Sequence, residues 1–79
     1  MKKFILYGTS GCHLCELAHE MIVAQQPQTA GIELVEVDIS ESETLFARYG
    51  LIIPVLRHPD DRELNWPFSA RLLRDFLAS

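Results

Sequence analysis

The chain has 79 residues, 48% of them hydrophobic, with 11 acidic against 7 basic side chains and a net charge of -4. At this length one domain is the ceiling, and ordinary apolar content with no long low-complexity run argues against disorder. An acidic balance also speaks against a general nucleic-acid binder, which needs a basic patch.

Met1-Lys2-Lys3-Phe4-Ile5-Leu6 opens like a signal peptide, but the apolar run stops at Gly8, short of the roughly 7–15 residues of an h-region. No stretch is long enough to span a bilayer. The expectation is a cytoplasmic protein with no membrane association, in a compartment where thiols stay reduced and a disulfide is transient. Phe4 to Tyr7 is apolar without alternation, which predicts a strand covered on both faces and central in its sheet. A Gly/Ser/Thr turn follows. Leu14, Leu17, Ala18, Met21 and Ile22 then recur at helical spacing and predict a helix to about Gln26 with that stripe against a core. Glu16, His19 and Glu20 fall mostly on its other side, and Pro27 ends it.

Ile32 to Val37 reads as the second strand. Strand, helix, strand is the βαβ arrangement, so the two strands are expected to be parallel. Ser40 and Glu43 have capping-box spacing for a short helix that ends near Gly50, with Leu45 and Phe46 as its apolar anchors. Pro54 is expected to open a third strand rather than interrupt one, with Val55 to His58 as its body. Pro59-Asp60-Asp61-Arg62 has turn composition, and Glu63 to Trp66 is then a fourth strand, antiparallel to the third. Ser69 caps a last helix to about Ala78, with Phe68 and Leu73 placed as a hydrophobic staple and Leu72, Leu73, Phe76 and Leu77 as its buried face. The predicted order is β-α-β-α-β-β-α in one α/β domain over residues 1–79, with a mixed four-stranded sheet.

The only two cysteines are Cys12 and Cys15, at the turn from the first strand into the first helix. A dithiol there reads as a redox motif. Residues three apart at a helix start are neighbours, at a Cα separation of about 5–6 Å that suits a disulfide. Unpaired N–H groups and the macrodipole stabilise a thiolate at that end. Cys12, first and more exposed, is the expected nucleophile, and Cys15, one turn inside, the resolving thiol. A structural disulfide is the plain alternative.

With Ile53-Pro54 opening the third strand and Pro67-Phe68 preceding the last helix, the chain resembles glutaredoxin over nearly its whole length, and most closely the short glutaredoxin-like proteins of the thioredoxin-fold superfamily. The resemblance implies a dithiol disulfide oxidoreductase active in electron transport, with Cys12 as nucleophile and Cys15 as resolving thiol. It also implies a cis Ile53–Pro54 bond beside the dithiol and pairing of the Ile53 backbone with a substrate chain like an added strand. Gly11 and His13 complete the set expected to border the substrate. The implied partners are protein or small-molecule disulfides, with a thiol reductase or glutathione as electron donor. No nucleic acid, membrane or bound cofactor is implied, and a monomer is expected.

The chain departs from glutaredoxins in two places. His13-Leu14 stands between the cysteines where a Pro-aromatic pair is usual. Asn65-Trp66-Pro67-Phe68-Ser69 stands where a Gly-Gly pair and an acidic residue usually hold the glutathione carboxylate, so glutathione is expected to be a weak reductant. As imidazolium, His13 would favour the Cys12 thiolate and make the disulfide more oxidising, or it simply faces solvent. Glu16 would oppose the effect.

Two other classes remain. One is a metal or iron–sulfur module using Cys12 and Cys15 with His19, although a closed zinc site needs a fourth ligand. The other is a thioredoxin-fold binding module with idle thiols. Trp66 reads as partly buried packing rather than a docking surface. Arg48, Arg57 and Arg62 read as solvated charges, with Arg57 close enough to Pro54 to line a groove.

Overall fold

The structure, a computed structural model, describes residues 2–25 and 31–79. The expected helix end at Pro27 lies outside the described residues. The elements are β1 (Lys2–Gly8), α1 (His13–Gln25), β2 (Ile32–Asp38), a 3-10 turn (Ile39–Glu41), α2 (Glu43–Tyr49), β3 (Val55–Arg57), β4 (Glu63–Asn65) and α3 (Ala70–Ala78). The sheet order is β2-β1-β3-β4. β1 runs parallel to β2 and antiparallel to β3, and β3 runs antiparallel to β4. The predicted order, the mixed sheet and the central place of β1 all hold. Among the described residues no helix is long and apolar enough to cross a membrane.

Successive strand side chains point to opposite faces, and β1 divides the core accordingly. Phe4 and Leu6 pack with Ala18 and Ile22 of α1, Leu56 of β3, and Leu73 and Leu77 of α3. Tyr7 packs on the other face with Ile39, Tyr49 and Val55, with Ile5 and Val37 beside them. From Phe4 to Tyr7 β1 needs apolar residues at every position because helices cover both its faces there. Phe68 and Leu73 share the first cluster, and the Ser69 hydroxyl accepts from the Leu72 amide at 3.1 Å, so cap and staple act together as expected.

Four expectations need correction. Ser40 does not cap α2. Its amide and hydroxyl donate to Asp38 Oδ1 at 2.9 and 2.7 Å, which caps the 3-10 turn. Ser42 caps α2 by accepting from the Leu45 amide at 3.3 Å. The inserted turn shifts the helix by two residues, so Tyr49 rather than Phe46 faces the sheet, and Phe46 is exposed. Leu14 and Leu72 are exposed as well. Each lies in the first turn of its helix at the edge of the apolar stripe, beyond the reach of the sheet. Finally, the arginines are not simply solvated. Arg57 donates to the Tyr7 hydroxyl at 3.3 Å and to Asp61 at 2.6 Å, while Arg62 donates to Asp60 at 2.7 Å and to the Ser79 hydroxyl at 2.8 Å.

Candidate active site at the first strand-to-helix turn

β1 ends at Gly8, and the chain must then reverse into α1. Gly11 makes the reversal with φ +78°, a conformation that costs other residues about 1–2 kcal/mol. The Cys12 amide donates back to the Thr9 carbonyl at 3.4 Å, and the Cys12 carbonyl accepts the Glu16 amide at 3.2 Å. Cys12 thereby stands at the cap of α1, ahead of its first residue, His13.

Cys12 and Cys15 are joined as a disulfide with a Cα separation of 5.2 Å. Cys15 is buried on the stripe of Ala18 and Ile22, and Cys12 is half-buried. The Cys15 amide donates to Cys12 Sγ at 3.1 Å. One of the unpaired N–H groups of the helix end is therefore aimed at the sulfur that the sequence marks as the nucleophile. His13 turns away from it, its Nδ1 lying 3.7 Å from Glu16 Oε2 with both side chains largely exposed.

The sheet brings two further segments to this end. Tyr7 pairs with Val55, so the next step along the two strands sets Gly8 beside Pro54. The Ile53–Pro54 bond is cis, as the resemblance implies, and so is Trp66–Pro67, which the sequence reading did not anticipate. The Pro54 carbonyl accepts the Trp66 amide at 3.3 Å, and the Ile53 amide donates to the Tyr49 carbonyl at 3.1 Å. An incoming chain can use that Ile53 donor only after the bond to Tyr49 opens.

On the opposite side, β2 runs in register with β1. Leu6 pairs with Glu36 and Gly8 with Asp38, and these four lie on the α1 face of the sheet by strand alternation. Together with Cys12, Cys15, Glu16, His19 and Glu20 of the first helix and its turn, they line a cleft of about 520 Å³. His19 Nε2 lies 3.6 Å from Glu36 Oε1 across it. Asp38 is held below the usual carboxylate range by the Ser40 hydroxyl and amide.

Sequence reasoning missed Gly8, Glu36 and Tyr49, and it weighed His19 only as a metal ligand while setting it mostly on the side of α1 away from the apolar stripe. A Cβ on Gly8 would stand 3.0 Å from Cys15 Sγ, so the strand can touch the disulfide only because Gly8 has no side chain. A signal for His19 was present: it is four residues beyond Cys15, hence on the same helical face. Among the described residues, no three His, Cys, Asp or Glu side chains converge as a metal site.

The family model described as Glutaredoxin-like domain (DUF836) matches residues 3–78. Two structures of target protein XcR50 from X. campestris resemble the chain at 40% identity. The X-ray structure has a TM-score of 0.81 and a match that covers 95% of each chain. The solution structure has a TM-score of 0.80, covering 99% of this chain and 94% of that one. Protein Ne2328 from Nitrosomonas europaea, solved by NMR, matches with a TM-score of 0.71 at 29% identity, over 95% of this chain and 89% of its own. Among curated proteins, none is similar enough to count as a relative. The family match spans nearly the whole chain and takes in both cysteines, Pro54 and all four strands, and the chain therefore belongs to the glutaredoxin-like domain family.

Proposed function

We propose that the protein is a thiol–disulfide oxidoreductase. The reduced Cys12 thiolate attacks a substrate disulfide, one substrate thiol leaves, and a mixed disulfide remains on Cys12. Cys15 then attacks Cys12 Sγ, releases the second thiol and closes the Cys12–Cys15 disulfide. An external thiol or a protein reductase returns the pair to the dithiol. The observation that carries this reading is the hydrogen bond from the Cys15 amide to Cys12 Sγ at the start of α1, a contact that favours the thiolate over the thiol at Cys12.

Protein disulfides are the favoured substrates. The groups that hold the glutathione carboxylate in glutaredoxins are replaced here by Trp66 and Pro67. The Trp66 amide is taken by Pro54, and Pro67 has no N–H. Trapping tests the reading. In Cys15→Ser, mixed disulfides should accumulate on Cys12 and be identifiable by mass spectrometry, whereas Cys12→Ser should trap none. Equal trapping by the two variants would defeat the assignment of roles.

A further inference from the structure

The dithiol cycle described above has a demanding proton step. Cys15 is buried at 8% exposure, against Gly8 on one side. It must lose a proton before it can attack Cys12, and burial disfavours the thiolate. Nothing at the helix cap serves this need, because the cap N–H is aimed at Cys12. A group able to take the Cys15 proton has to face the cleft.

The titratable side chains that line the cleft are Glu16, His19 and Glu20 from α1, Glu36 and Asp38 from β2, and the cysteines themselves. Asp38 is held ionised by Ser40, which makes it a poor proton acceptor. Glu16 lies in the exposed pair with His13. Glu20 is exposed and five residues beyond Cys15, so it stands well round the helix from it. His19 differs on three counts. Four residues after Cys15, it lies one turn along on the same face, and a helical side chain leans over the preceding turn, toward Cys15. It is half-buried with Nε2 at Glu36 Oε1, which leaves Nδ1 for a second partner. Imidazole is also the side-chain base that ordinarily titrates between about pH 5 and 8.

We propose that His19 is the proton acceptor and donor of the resolving thiol and that Glu36 is its positioning residue. The inference rests on the redox reading above. In the forward direction His19 takes the Cys15 proton, directly or through one water. The Cys15 thiolate attacks Cys12 Sγ, the S–S bond between Cys12 Sγ and the substrate sulfur breaks, and the electron pair leaves on the substrate sulfur. The imidazolium then gives its proton to the departing thiolate. In the reverse direction neutral His19 takes the proton of an incoming thiol, the thiolate attacks Cys12 Sγ and the bond to Cys15 breaks, and the imidazolium protonates the departing Cys15 thiolate. Glu36, with Oε1 3.6 Å from His19 Nε2, holds the ring in place on a sheet face whose residues Ile32 and Leu34 pack into the core.

Stopped-flow reaction of the reduced protein with dithiodipyridine separates the two steps, because each releases one coloured thiol. In His19→Gln the first release, by Cys12, should stay within about twofold of wild type, while the second should fall about tenfold or more at neutral pH. Free imidazole should restore part of the lost rate. In the variant the second phase should keep rising with pH where wild type levels off, because solvent alone then has to form the Cys15 thiolate. Glu36→Gln should slow the same phase less. A second phase in His19→Gln that matches wild type across pH, or a slowing shared by both phases, overturns the proposal. A wild-type protein that releases no thiol at Cys12 fails the redox reading itself and takes this proposal with it, so the two failures are distinct.

Discussion

Gly8 and Cys15 meet more closely than a side chain on Gly8 would permit. A Cβ there would lie 3.0 Å from Cys15 Sγ and 3.2 Å from Cys15 Cβ. The last residue of the central strand therefore forms the floor of the dithiol. Gly8→Ala should overpack this site and destabilise the protein by about 1–3 kcal/mol, read from the urea midpoint. In a Cys15→Ala background the nearest atom is gone, so the penalty should shrink. Equal penalties in the two backgrounds would show that Sγ is not what Gly8 accommodates.

The two thiols should differ in reactivity. After reduction, Cys12 should alkylate well below pH 8 and much faster than Cys15, since a thiol at a helix N-terminus titrates at about 3.5–7.5 rather than about 8.5. Mass-resolved alkylation against pH measures both. Equal rates at the two positions would remove the distinction between nucleophile and resolving thiol.

Tyr49 joins the second core to the loop that carries Pro54. Its ring stacks on Tyr7 with centroids 4.4 Å apart, its hydroxyl donates to Glu63, and its carbonyl accepts the Ile52 and Ile53 amides. Tyr49→Phe should cost about 1–2 kcal/mol, because it removes a hydrogen bond to a charged acceptor and leaves the stacking. Burial first, and then the Glu63 carboxylate, push the Tyr49 hydroxyl up to about 12. A folded-state value above the unfolded one means that the protonated phenol stabilises the fold. That contribution is complete below about pH 10 and is lost as pH rises from about 10 through 12. Over that window wild type should lose stability more steeply than Tyr49→Phe, and parallel curves would refute the coupling.

Glutathione should drive turnover poorly. A coupled assay with a glutathionylated peptide should run at least about tenfold slower than a standard dithiol glutaredoxin, a difference of about 1.4 kcal/mol or more in transition-state stabilisation. A protein reductase should be less affected. Glutathione turnover equal to that of the standard would show that Trp66 and Pro67 do not matter to the choice of donor.

Local sequence determined the elements and the identity of the dithiol. Uninterrupted apolar residues in β1, helical spacing in α1, Ser69 ahead of α3 and the turn residues from Pro59 to Arg62 are short-range signals, each acting within a few residues of chain. Together with the resemblance carried by Pro54, they yielded the order of elements and the sheet. Within α2 the local signal misled: Ser40 and Ser42 both suit a cap, and only the Asp38 carboxylate, already holding Ser40, decides between them. The surroundings of the dithiol were not legible locally. That Gly8 touches Cys15, that Glu36 reaches His19, and that the Tyr49 carbonyl takes the Ile53 amide depend on strand register and on which face each strand presents. Register is a relation between segments distant in sequence. It is set when both faces of β1 are buried at once, and no stretch of the chain records it alone.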